Sequence, residues 1–230
     1  EIVYRDWSSD VCSSDLREAR RRPAQIVETL PLDLIRSAAA LHLSGISLAI
    51  SSDACDACFA AIRTARDAGR IVQVDTNLRL ALWPLDRARA VIHAAVTLAD
   101  ICRPGIDDAR QLTGLEQADA IADAYLAMGP KIVALTLGAE GALIATRDRR
   151  ERFAPFPCTP VDATGAGDAF DGAFLAEFLR TRDPFAAGRL ANAAAALATE
   201  DYGAVGPLPH RSDIERALSE RCKSPRGAVS

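Results

Sequence analysis

The sequence predicts an α/β fold in which a mainly parallel sheet is covered by helices on both faces. Short apolar or β-branched stretches such as Ile71–Asp75 alternate along the chain with longer stretches whose apolar residues recur at helical spacing. No internal repeat or low-complexity linker interrupts that alternation. The composition, 49% hydrophobic and 25% charged over 230 residues, is that of a globular chain. One domain is the natural count at this length, burying roughly 70–75% of the surface its unfolded chain exposes.

The elements follow in order. Residues 1–16 show neither helical nor strand periodicity and repeat Ser-Ser-Asp, so the segment 1–22 is read as adapter-derived and kept out of the fold. Arg17 to Arg22 reads as the solvated start of a helix. A helix is expected over 32–40 and a short strand over 41–43, running into Ser44-Gly45. The Ala-rich stretch 54–68 reads as a helix opened by Ser52 or Asp53 and closed by Gly69. The β-branched stretch 71–75 reads as a strand, 85–99 as a helix and 100–102 as a strand. Helices over 107–112 and 117–128 precede a strand over 131–137. A hairpin, 142–146 with 152–156, turns around Arg147-Asp148-Arg149-Arg150. Helices over 166–180, 184–200 and 212–221 finish the chain, and 223–230 is a tail.

Several functions are excluded early. The net charge of −4 and the absence of a membrane-length apolar run argue against nucleic acid and membrane as partners. Six cysteines include one C-x-x-C pair, Cys55 and Cys58, with no second pair, while His42, His93 and His210 stand alone, so neither zinc nor a redox centre is expected. Incidental thiols and no recognisable secretory signal agree with a cytoplasmic setting. Of the 27 basic residues all but Lys131 and Lys223 are arginine, which leaves phosphate charge to arginine, backbone N–H groups or a metal.

Chemistry concentrates in Val161-Asp162-Ala163-Thr164-Gly165-Ala166-Gly167-Asp168-Ala169-Phe170-Asp171-Gly172. Gly165 and Gly167 can adopt φ > 0 and turn successive N–H groups into one concavity, just where a helix should begin near Ala166. Asp168 falls in its first turn. A carboxylate beside a bound phosphate is a poor phosphate ligand but a good acceptor for the proton of an attacking hydroxyl. The competing explanation is an ordinary glycine corner with an acid stabilising a helix start. Neither a Walker A loop nor a dinucleotide fingerprint fits, since no Gly-Lys-Ser/Thr occurs and 153–157 is too proline-rich for the preceding strand. Arg79, in Asp75-Thr76-Asn77-Leu78-Arg79, is the candidate for pairing with a carboxylate or phosphate, or else a surface arginine at a strand end. The strand-end motifs at 75–79 and 138, with the turn 162–168, are expected to face one crevice.

The string DATGAGDAFDGAF resembles the C-terminal signature of the PfkB, or ribokinase, family of carbohydrate kinases. Asp75-Thr76-Asn77-Leu78-Arg79 with Leu82-Trp83, Leu137-Gly138-Ala139-Glu140-Gly141-Ala142 and Ala191-Asn192-Ala193-Ala194-Ala195-Ala196 fall in the family's order, and together look most like its 2-keto-3-deoxygluconate kinases. The resemblance covers 30–209 and implies a ribokinase-like three-layer sandwich whose N-terminal part and lid are missing here, with 23–222 as the C-terminal portion of the kinase domain. It implies transfer of the γ-phosphate of ATP, with Mg²⁺, to a hydroxyl of a sugar acid, and a homo-oligomer for the full-length protein. Alternatives are another sugar kinase of the family, such as a fructokinase, ribokinase or nucleoside kinase, or a nucleotide-binding fragment without turnover.

Residue by residue, the resemblance makes Asp168 the catalytic base, the Gly165, Ala166 and Gly167 amides the hydrogen-bond donors to the phosphoryl group, and Arg79 the contact to the acid. Asp75 and Asn77 orient that loop, and Asn77 joins Thr136, Gly138, Gly141, Gly165, Gly167 and Asn192 as nucleotide-site candidates. Gly138 and Gly141 would serve a hairpin equally well, and Asn192 is either a helix-packing residue or part of an adenine pocket. The family's Asn-x-x-Glu maps to Gly105-Ile106-Asp107-Asp108, where the shorter Asp108 would hold Mg²⁺ through a water. Asp162, with Thr164, stands where some relatives bind a monovalent cation, and Thr136 replaces a longer polar residue.

Overall fold

The computed structural model describes residues 30–223, so the expected adapter segment 1–22 and all but the first residue of the tail lie outside them. The described residues divide into two compact units, one running up to Leu135 together with Ala145–Arg149, the other comprising Thr136–Ile144 and the described residues from Arg150 onward. Six strands occur among the described residues, the first four parallel, in an α/β fold.

In the first unit the strands β1 (Ala40–Ser44), β2 (Ile71–Asp75), β3 (Ile101–Arg103) and β4 (Ile132–Thr136) are hydrogen-bonded in that order. The helices between them are α1 (Leu32–Ser37), α2 (Gly45–Ala49), α3 (Ser52–Asp67), α4 (Leu85–Val96), α5 (Ile106–Thr113) and α6 (Ala118–Met128). On α3, Ala57, Cys58, Ala61, Ile62 and Ala65 form one buried stripe, mostly of small residues, and the helix packs on β1 and β2. Its cap is Ser51, not Ser52 or Asp53, because Ser51 Oγ is the acceptor of the Ala54 N–H at 3.1 Å. Burial pushes the Cys58 thiol up to about 11 and raises Cys55 as well, which disfavours the reactive thiolate at both positions. No described helix is long and apolar enough to cross a membrane.

Among the boundaries that differ from the expected ones, three bear on the site. The first helix stops at Ser37, since Ala38 is extended (ψ 154) and Ala40 already pairs with Ile71. Residues 45–49 form α2, a turn too short to show a period, started by the Ser44 hydroxyl. The third strand is 101–103 instead of 100–102: Asp100 uses its carboxylate to accept from Val72 N–H at 3.1 Å, and pairing begins one residue later. Arg103 thereby becomes a strand residue.

The second unit holds a 3₁₀ turn (Gly138–Glu140), all but the last residue of β5 (Ala142–Ala145), β6 (Arg150–Phe153), α7 (Ala166–Thr181), α8 (Pro184–Leu197) and α9 (Arg211–Lys223). The turn between β5 and β6 is closed by Thr146 N–H donating to Arg149 O at 2.7 Å. β6 ends before the expected 156, because Pro155 and Pro157 bring no N–H to a ladder. α8 starts at Pro184 behind Asp183, whose Oδ1 takes the Phe185 and Ala186 N–H groups at 2.8 and 3.2 Å. Phe156, Leu190, Ala193, Ala194 and Ile214 close a core between α8, α9 and the segment after β6. Gly188 lets α8 approach β5 closely: a Cβ there would lie 2.9 Å from Ile144 Cδ1.

Glu177, buried on α7, braces α9. Its Oε1 accepts from Arg180 Nη2 at 2.7 Å and its Oε2 from Arg211 Nη2 at 2.6 Å. The Arg180 hydrogen bond, opposed by desolvation and joined by Arg211, holds this carboxyl below the usual glutamate range. A depressed folded-state pKa gives stability that is complete above the ordinary value of about 4.3 and is lost as pH falls below it. Glu177→Gln is therefore expected to lower the urea midpoint at pH 7 and to flatten its fall on acidification below about 4.5. An acid limb as steep as the wild type's would remove Glu177 from this role.

Candidate active site

Parallel register brings the carboxyl ends of three strands into line: Ser44 lies opposite Asp75, and Asp75 opposite Arg103. Asp75 is 1% exposed, and the buried carboxylate is tolerated because Arg103 Nη2 donates to its Oδ2 at 2.9 Å. Its Oδ1 accepts from the Asn77 N–H at 3.1 Å, which turns the chain out of β2. Asn77 has φ 27, a region that costs a non-glycine residue on the order of 1–3 kcal/mol. Two further bonds hold it there. Asn77 Nδ2 donates to Ser44 Oγ at 2.9 Å, and the Leu78 N–H donates to Asp108 Oδ2 at 2.9 Å. Gly45 seals the back of the loop, since a Cβ at that position would strike the Thr76 carbonyl oxygen.

Arg79 is thus presented from a loop fixed on both sides. The arginine is half-buried, its Nη1 donates to Leu78 O at 2.9 Å, and its Nε has no partner. Desolvation raises the Asp108 carboxyl above its ordinary range, opposed by the Leu78 N–H and by the charges of Arg79 and Arg103. Asp108 Oδ1 receives no hydrogen bond among the described residues, so a metal-bound water would fit that oxygen while Oδ2 holds the loop.

In the second unit, Asp162 folds the approach to α7. Its Oδ1 accepts from Thr164 N–H and Oγ at 2.9 and 2.7 Å, and its Oδ2 from Gly203 N–H at 2.9 Å. These donors, the Gly203 N–H foremost, hold the carboxyl below its ordinary range. Among the described residues no cationic side chain pairs with it, and a monovalent cation suits that uncompensated charge. Gly165 follows at φ 79 as the N-cap of α7, and no side chain caps this helix. In its first turn the Ala166 N–H donates to Ala163 O at 3.2 Å, while the remaining N–H groups of that turn and the positive dipole end suit an anion. Asp168, in that first turn, is exposed. Gly165 also answers to packing, because a Cβ would lie 2.9 Å from Ala204 Cα and O.

The nucleotide candidates are spread over that unit and its border. Thr136 ends β4. Gly138, at φ 59, has open space where a Cβ would stand, which leaves room for a ligand. Gly141 is required by the fold itself, its missing Cβ making way for Phe153 O and, at 2.9 Å, Ala154 C. Asn192 donates from Nδ2 to Ala154 O at 2.9 Å, the packing half of its two expected roles.

Three residues went unassigned in sequence. Arg103 was read as lying beyond its strand, and Ser44 as a plain strand end. Asp171 is 4% exposed inside α7, one turn after Asp168. Its signal was the i, i+3 spacing of two acids in the first turns of the helix.

Residues 15–211 match the family described as pfkB family carbohydrate kinase. The chain is 35% identical over 194 residues to a 2-dehydro-3-deoxygluconokinase of Bacillus subtilis (strain 168), covering 82% of this chain and 59% of that protein. It is 32% identical over 204 residues to fructokinase-1 of Zea mays, covering 84% and 62%. The crystal structure of a fructokinase from Vibrio cholerae O395, in its fructose, ADP and calcium ion bound form, superposes with a TM-score of 0.74 at 32% identity, over 82% of this chain and 64% of that one. The chain spans about three fifths of the length of the curated relatives it matches.

Proposed function

As this chain belongs to the pfkB family of carbohydrate kinases, we propose that it serves the ATP-dependent phosphorylation of a sugar acid, 2-keto-3-deoxygluconate. The observation that carries the acid is Arg79, a half-buried guanidinium with an unpartnered Nε on a loop tied in place around it. Two parallel charge-assisted hydrogen bonds to a carboxylate would satisfy it, and a neutral sugar offers none. The Bacillus relative supports the same choice, since 2-dehydro-3-deoxygluconate and 2-keto-3-deoxygluconate are one compound. A fructokinase of similar identity supports a neutral sugar instead.

In this proposal the substrate carboxylate pairs with Arg79, and Asp168 takes the proton of the attacking hydroxyl as its oxygen bonds to the γ-phosphorus of ATP and the bond from that phosphorus to the bridging oxygen breaks, releasing ADP. The first amides of α7, at Gly165, Ala166 and Gly167, donate to the oxygens on which transition-state charge is spread. Thr136, Gly138, Gly141 and Asn192 belong to the nucleotide side, and Asn77 steadies the Arg79 loop. Bound Mg²⁺ supplies neutralisation of phosphate charge, and Asp108 would hold it through a water. Asp162 and Thr164 would hold a monovalent cation. The solved Vibrio fructokinase, with ADP and a calcium ion, supports a nucleotide and a metal. The proposed setting is the cytoplasm, in keeping with Cys55, Cys58, Cys102 and Cys158, none of which forms a disulfide among the described residues.

The test is coupled ADP release with 2-keto-3-deoxygluconate, fructose, ribose and adenosine. The sugar acid is expected to show a kcat/KM at least about tenfold above each neutral substrate, the size of one charge-assisted contact. A preference for fructose would leave the kinase and remove the acid.

A further inference from the structure

Ser44 closes β1 opposite Asp75. Its hydroxyl oxygen accepts from Asn77 Nδ2 at 2.9 Å and, at the start of α2, from Ile46 N–H at 3.4 Å. Asn77 and Arg182 are the non-glycine residues at positive φ among those described, and Arg182 merely ends α7. The ties on Asn77 divide the work. Asp75 fixes its backbone N–H and Asp108 fixes that of Leu78, whereas the carboxamide is held by Ser44. If the carboxamide is released, the left-handed backbone can relax, and a rotation at residue 77 is carried directly to Arg79 two residues on.

We propose that Ser44 is a positioning residue for recognition of the substrate carboxylate: it clamps the left-handed Asn77 against the end of β1 and so aims the Arg79 guanidinium. This rests on the role given to Arg79 above. The clamp explains why a hydroxyl stands at the end of β1, and why Gly45, which lets the Thr76 carbonyl come close, follows it. Ser44→Ala removes the acceptor and Ser44→Thr retains it.

Two measurements on the whole chain test this. In calorimetric titrations with 2-keto-3-deoxygluconate and with fructose, Ser44→Ala is expected to weaken acid binding about tenfold and to leave fructose within about twofold, because misaiming costs only the contact that is aimed. Ser44→Thr is expected to bind the acid as the wild type does, and Arg79→Ala to lose it. Amide hydrogen exchange at Leu78 needs no ligand: about tenfold faster exchange is expected in Ser44→Ala but not in Ser44→Thr, with the global unfolding midpoint unchanged. Acid binding lost in Arg79→Ala but retained in Ser44→Ala overturns the positioning role and leaves the substrate proposal standing. Acid that does not bind the wild type, or binds Arg79→Ala equally well, overturns the substrate proposal and the aiming role with it. Unchanged exchange at Leu78 in Ser44→Ala overturns the clamp itself.

Discussion

Asp168→Asn is expected to lower kcat by at least about 10²-fold with little change in ATP affinity, the loss that follows removal of a general base. The substitution is nearly isosteric, and Asp168 is exposed in the first turn of α7, so folding should not suffer. A role confined to the helix start would behave differently: a carboxylate there contributes typically 0.3–1 kcal/mol of stability, roughly, and nothing to turnover. The two roles thus separate on kcat against unfolding midpoint. Near-wild-type turnover with a slightly lowered midpoint would return Asp168 to the helix.

Arg103→Leu is expected to destabilise the protein by about 3–5 kcal/mol, because it deprives a carboxylate that is 1% exposed of the guanidinium beside it. The cost lies in the stranded charge more than in the lost bond. Asp75→Asn combined with Arg103→Leu should therefore recover most of the deficit, a coupling that independent sites would not show. Urea midpoints of the two singles and the double measure it directly. A loss below about 1 kcal/mol in Arg103→Leu, the scale of an exposed ion pair, would mean that Asp75 does not depend on Arg103.

What the sequence could show and what it could not divide along physical lines. β2 was legible at both ends, since a β-branched run bounded by Gly69 and by a polar turn has one natural reading. The start of α7 at Ala166 was legible too, because helical spacing and a glycine that can take φ 79 agree on it. Arg103 was hidden by a one-residue shift. Asp100 spends its side chain on the neighbouring strand's Val72 N–H, and no local pattern announces a bond 28 residues distant. Ser44 was missed for the same reason, its partner Asn77 being 33 residues away. Gly141 and Gly165 stand out in the sequence as candidates for a ligand's approach, yet the place of each missing Cβ is taken by the chain's own backbone at Phe153 and Ala204. Glycine spacing tells that something approaches closely, not whether it is ligand or protein.

The central claim is that an anionic substrate is read by Arg79. It is tested most directly by kcat/KM for 2-keto-3-deoxygluconate and for fructose in the wild type and in Arg79→Ala. The account predicts a loss of at least about tenfold for the acid, the size of one hydrogen bond to a charged group, with fructose unchanged. An equal loss for both substrates, or none for the acid, would contradict it.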